Sequence, residues 1–187
     1  MGGHTLRVCV YCASADGIPE RHVDLARTVG AGIAARGWEL VSGGGRVSMM
    51  GAVARAARAG GARTIGVIPQ SMVAREWADH DSDELLVVDS MRERKAEMEA
   101  RADAFLALPG GIGTCEELFE IWTSGALGLH AKPVVVLDPD GHWTGLLDWV
   151  RGLVTAGFVR DAALARIAVV PDVDEALDAC ARGVTAR

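Results

Sequence analysis

Short, mostly apolar runs alternate with longer amphipathic stretches from one end of the chain to the other. Residues 6–12, 38–42, 64–68, 85–88, 104–108, 133–137 and 167–170 read as strands, each too short to be a helix and rich in Val, Ile and Leu. Helices are predicted over 19–36, 49–59, 91–101, 114–127, 143–155 and 173–180. In the first of them Val23, Ala26, Arg27, Gly30 and Ile33 roughly mark one face, and Gly37 stops it. Gly60 and Gly61 end the second helix, and Pro69 caps the third strand. Residues 70–83 are polar and poorly periodic and read as a loop with one helical turn. Ser90 is an expected N-cap, with Glu93 at the capping-box position.

The strands show no apolar–polar alternation, so both of their faces are expected to be buried. Strands of that kind separated by helices form a parallel sheet covered on both sides. The prediction is one α/β domain over residues 1–187, a Rossmann-like doubly wound parallel sheet with helices on both faces, and a frayed tail after about residue 181. Ligands of such sheets bind beyond the carboxyl ends of the strands, at a switch point. The glycine-rich turns of this chain all follow strands, so they can converge on one site.

Composition narrows the function. The 187 residues carry a net charge of -6, which argues against a nucleic-acid partner. No apolar run approaches the ~18 residues of a membrane span, and the first residues lack the shape of a signal peptide. A cytoplasmic protein is expected, with its four cysteines reduced. Cys9 and Cys12 have C-x-x-C spacing, but no second ligand pair accompanies them, and core residues are the simpler reading. No His, Cys and Asp cluster has ligand spacing, so neither a metal nor a cofactor is expected.

The chemistry concentrates around residues 106–118. Pro109 ends a strand, and Gly110, Gly111 and Gly113 let the backbone approach a ligand closely. Thr114 reads as the N-cap of the next helix, with Glu117 closing a capping box. Helix-start N–H groups and the positive end of the dipole suit an anion. Gly43, Gly44 and Gly45 form a second glycine turn that could offer further amides, and Ser14 adds a hydroxyl. The first turn is not G-x-G-x-x-G, and a Walker lysine is absent, so a mononucleotide or sugar phosphate fits better than NAD or ATP. Arg92, Arg94 and Lys95 begin a helix whose dipole opposes them, which an anionic substrate would explain. Glu116 and Glu117 could serve ribose hydroxyls and the reacting sugar carbon.

Two stretches carry a family resemblance. Pro109-Gly110-Gly111-Ile112-Gly113-Thr114-Cys115-Glu116-Glu117 matches PGGxGTxxE, and Met91-Arg92-Glu93-Arg94-Lys95 resembles the M-x-x-R-K element before it. The chain thus resembles the LOG family, the cytokinin riboside 5′-monophosphate phosphoribohydrolases, from about Val8 to about Val170. The resemblance implies hydrolysis of a nucleoside 5′-monophosphate, N6-prenylated AMP or AMP itself, to free base and ribose 5-phosphate. It implies Arg94 and Glu117 as the catalytic pair, Lys95 orienting the substrate, and Glu76 and Thr123 as further contacts. It also implies a homodimer. The alternatives are a nucleotide or molybdenum-cofactor carrier of the same fold, or a nucleosidase acting mainly on AMP. The lysine-decarboxylase label this family often bears fits poorly. Only Lys95 and Lys132 could form a Schiff base, and Lys132 precedes a strand. Three positions depart from the family pattern: Ala13 and Ser48 stand where it has glycine, and Ala131 where it has aspartate. Ser48 puts the backbone geometry of the second turn in question.

Overall fold

The computed structural model describes residues 5–73, 75, 77–182 and 184. Seven strands form one sheet: β1 (Arg7–Tyr11), β2 (Glu39–Ser42), β3 (Thr64–Pro69), β4 (Glu84–Val88), β5 (Ala104–Ala107), β6 (Val134–Leu137) and β7 (Ile167–Val170). Between and after them lie α1 (Glu20–Ala35), α2 (Ser48–Ala59), α3 (Gln70–Val73), α4 (Met91–Arg101), α5 (Ile112–Ala126), α6 (Thr144–Thr155), α7 (Asp161–Leu164) and α8 (Val173–Arg182). Every pairing is parallel, in the order β4-β3-β2-β1-β5-β6-β7. The chain winds outward from β1 to β4, returns to the middle, and winds the other way from β5 to β7. The switch point therefore lies between β1 and β5, where the loops after Tyr11 and Ala107 leave the sheet side by side.

Alternate strand residues feed two separate cores, which is why the strand sequences show no polar face. Val8, Val10, Leu40, Leu106 and Val135 pack under α1, α2 and α8. Cys9, Val41, Ile65, Phe105 and Val136 pack on the opposite face with Met98 of α4, Ile121 of α5 and Leu147 of α6. Helices α1 and α2 meet closely because Gly30 has no side chain; a Cβ there would stand 2.3 Å from Val53 O. The buried side of α1 is His22, Ala26, Val29, Gly30 and Ile33, so Arg27 belongs to the exposed side, where it pairs with Glu20.

Two elements differ from expectation. Helix α5 starts at Ile112 with Gly111 as N-cap and no side-chain cap, so Thr114 and Glu117 form no capping box. Glycine has no side-chain oxygen to cap with, but its backbone turns easily, and the chain enters the helix three residues earlier than a Thr114 cap would place it. The short helix α7 went unpredicted because four residues carry no readable period. At α4 the expected cap is present: Ser90 Oγ accepts the Glu93 N–H at 3.2 Å, and Glu93 reaches back to the Asp89 N–H at 2.9 Å.

Candidate active site

A cleft of about 330 Å³ opens at the switch point. One wall is the loop after β1, with Cys12, Ala13 and Ser14; another is the start of α5, with Gly111, Gly113 and Thr114. Helix α5 leaves its first-turn amides without intrahelical partners, and the residues that carry them, 111–114, line the cleft. A Cβ built at Gly111 or Gly113 would touch nothing within 4 Å, and neither residue has positive φ. The fold does not itself require glycine at these two positions. What their absent side chains preserve is open space over the amides. Gly110 is different: its missing Cβ would stand 2.1 Å from Thr114 Oγ1, so glycine there lets the threonine seat against the turn.

Arg94 and Glu117 meet at the floor. Arg94 is 5% exposed although it sits near the start of a charged helix. Its guanidinium crosses to the ends of β2 and β3, donating from Nε to Val67 O at 3.1 Å and from Nη2 to Gly43 O at 3.0 Å. Nη1 donates to Glu117 Oε1 at 3.3 Å. Gly43 must be glycine for this, since a Cβ would lie 1.7 Å from Nη2. Burial raises the Glu117 pKa to about 7, and Arg94 opposes that rise only in part. A buried carboxyl that titrates near neutrality in a cleft is suited to proton transfer or to stabilising a developing cation. Arginine does not give up its proton in proteins, so Arg94 can steady charge on a departing base but not protonate it.

The other predicted residues are distributed differently. Ser14, Gly43, Gly45, Gly111, Gly113 and Thr114 line the cleft with Arg94 and Glu117. Gly44 holds the fold instead: at φ +70° it packs against Val67 and Ile68, and its carbonyl accepts the Asp79 N–H at 2.8 Å. The turn's amides are engaged as well, Gly44 N–H with Ser42 Oγ at 3.4 Å and Gly45 N–H with Met50 Sδ at 3.2 Å. The second glycine turn thus offers no spare amides at those two residues; it is a seat for Arg94. Lys95 is bound by Glu116 and, at 2.7 Å, by Glu120, and the Lys95–Glu116 pair stands off the cleft wall. Thr123 lies on another groove, beside Phe119, Trp122 and Phe158. Glu76 lies outside the described residues.

Sequence reasoning missed the apolar side of the cleft, which comes from Met50, Ile68, Met72, Trp77, Met91 and Ile112. The signal was a tryptophan and two methionines placed in or beside polar stretches, where no core needs them. It also missed how the 77–79 segment is held. Asp79, 5% exposed, pairs with Arg58 at 2.8 and 3.2 Å, and Gly45 bridges Ala78. Cys9 and Cys12 are free and buried, and burial holds both thiols far above their usual range, so they are unreactive core groups. Among the described residues no group of three His, Cys, Asp or Glu is placed to hold a metal ion. Lys132 is committed elsewhere, donating to Glu99 O at 2.5 Å.

The fold and the cleft together define a doubly wound α/β protein with a glycine-rich helix start beside a buried Arg–Glu pair. A family model described as "Possible lysine decarboxylase" matches residues 50–180. The chain is 57% identical over 176 residues to the cytokinin riboside 5′-monophosphate phosphoribohydrolase of Mycobacterium marinum, covering 94% of each protein. It is 44% identical over 169 residues to the enzyme of that name, LOG, from Oryza sativa subsp. japonica, covering 90% of this chain and 70% of the relative. The chain belongs to this LOG family, for which the decarboxylase description is a misnomer. Among solved structures it is similar to the molybdenum cofactor carrier protein of Chlamydomonas reinhardtii, with a TM-score of 0.74, 22% identity and coverage of 98% and 100%. At that identity the likeness is one of fold.

Proposed function

We propose that this protein hydrolyses the N-glycosidic bond of cytokinin riboside 5′-monophosphates, N6-substituted AMP, releasing the free base and ribose 5-phosphate. The observation that carries the reading is Glu117, a carboxyl raised to about 7 and held by Arg94 in the floor of a cleft walled by the start of α5. The phosphate sits on the amides of residues 111–114, and the ribose lies over Glu117. As the C–N bond breaks, positive charge grows on the sugar, and the ionised carboxylate stabilises it and orients the attacking water. Arg94 faces the negative charge left on the base. Met50, Met72, Met91 and Trp77 supply an apolar surface for the N6 substituent. The carrier reading has less support, because binding alone does not require a carboxylate poised near neutrality. The 57% identity to a protein named for this reaction points the same way. The working unit is a two-fold homodimer.

Incubation with AMP and N6-isopentenyl-AMP in parallel, with products separated by chromatography, tests the reading. Free base and ribose 5-phosphate are expected in equal amounts, faster from the prenylated nucleotide. Nucleotide that is bound and recovered intact would return the protein to the carrier class. Equal or faster cleavage of AMP would make it an AMP nucleosidase.

A further inference from the structure

A second cavity, of about 370 Å³, shares Ala13, Ala15 and Gly111 with the main cleft, and His22 and His142 are among its lining residues. His142 stands in the loop between β6 and α6. Its Nε2 lies 2.8 Å from Gly110 O and 3.2 Å from Gly110 N. Among the described residues this is the only side-chain hydrogen bond to the backbone of residues 109–113. A neutral imidazole nitrogen either donates or accepts. In one tautomer His142 donates to the carbonyl; in the other it accepts the amide N–H. Either way it holds Gly110, by the peptide after it in the first case and by the peptide before it in the second.

The histidine is itself held. Gly141, at φ +76°, turns the chain, and the His142 ring stands edge-on to Trp143 at 5.1 Å and to His22 at 6.1 Å. Asp140 ties the same loop to α1, accepting from Arg21 at 3.2 Å with His22 Nε2 at 3.8 Å. The turn it grips needs such support. Three glycines in four positions give this turn more backbone freedom than residues with side chains would, and an anion that had to order them would bind more weakly.

We infer that His142 is a positioning residue for the anion-binding turn: it fixes the backbone at Gly110 so that the amides beginning α5 are already aimed at the substrate's phosphate. The inference rests on the reading of the cleft as a nucleoside monophosphate site. Support of this kind acts on substrate and transition state alike, so its loss raises KM and spares kcat.

The test compares wild type, His142→Ala and His142→Gln. NMR titration, which reads millimolar affinities, gives Kd for AMP and for adenosine, and steady-state assays give KM and kcat. In His142→Ala, AMP binding and KM should worsen about tenfold, with kcat and adenosine binding within about twofold. His142→Gln should restore most of the AMP affinity, because its amide can donate to Gly110 O. A folded His142→Ala with unchanged AMP affinity overturns the inference. So does equal loss of adenosine affinity, or failure of Gln to rescue. A wild type that binds AMP and N6-isopentenyl-AMP but cleaves neither overturns the hydrolase reading alone; one that binds neither overturns both.

Discussion

Glu117 and Ser48 show opposite kinds of residue-scale cost. Glu117 carries a raised pKa, so between about 4.5 and 7 the native state holds a proton that the unfolded state has lost. More protons on the native side mean that stability falls as pH rises through that window, by up to about 3 kcal/mol. Glu117→Gln, which mimics the protonated form, should remove this dependence and melt higher than wild type at pH 8, while the two converge near pH 4. Its turnover should fall at least about a hundredfold. Wild-type kcat/KM should rise with pH and level off above about 7. A pH-independent rate, or a Gln variant with normal turnover, would remove Glu117 from the chemistry. The sequence offered a capping role for this residue, and nothing in the helix pattern could reveal that Gly111 supplies the cap and leaves the carboxyl to be buried. Ser48 was legible: it stands where the family pattern has glycine, and it is the one non-glycine with positive φ among the described residues, at 52°. Its hydroxyl is buried without a partner. Ser48→Gly should stabilise the fold by about 1 kcal/mol, the left-handed strain and the unmet hydroxyl outweighing the added chain entropy of glycine. Thermal melts should show a gain of about 2–4 °C; a loss would mean that the hydroxyl is satisfied after all.

Glycines that look alike in the sequence do different jobs in their elements. Gly43 gives Arg94 room to reach a carbonyl, Gly110 gives Thr114 a seat, and Gly113 leaves open space in the cleft wall. Only the third job is invisible to the apo fold, which makes it separable. Gly113→Ala adds a Cβ that meets no protein atom and improves a helix position by up to about 1 kcal/mol. The variant should melt at or above the wild-type temperature yet bind AMP at least about tenfold more weakly, the methyl standing where the phosphate approaches. Calorimetric titration beside a thermal melt decides it, and undiminished AMP affinity would place the phosphate elsewhere. The strands were readable because each is an unbroken apolar run between glycine or proline signals. Their ends were less so, since hydrogen-bond partners, not composition, decide where a ladder stops. In the 70–83 stretch the parts of Trp77 and Asp79 were hidden because they act through contacts with the second glycine turn, which no local pattern records.

At the scale of the whole molecule, the winding reversal between β1 and β5 brings loops distant in sequence onto one cleft, and that followed from strand order alone. What it leaves open is the far side of α5. Met91 and Met98, seven residues apart on α4, are divided: Met98 is buried in the core and Met91 lines the cleft. The exposed apolar surface lies instead where α5, α6 and α7 meet. Leu127, Trp149 and Phe158 are 71%, 59% and 83% exposed, around a groove floored by Trp122. Apolar residues gathered in this way rarely stay in water on a monomer. The same α5 that starts at the 109–111 glycine turn ends at this surface, so a partner docked here would steady the helix that carries Glu117. The surface is contiguous on one molecule and can meet its own copy across a two-fold axis, the commonest closed assembly. Light scattering at micromolar concentration should therefore give the mass of a dimer. Phe158→Glu with Trp149→Glu should give a folded monomer, because two carboxylates facing each other across an apolar contact cannot be desolvated cheaply. A wild type that scatters as a monomer would remove the homodimer, and a double variant that remains dimeric would move the interface to another face.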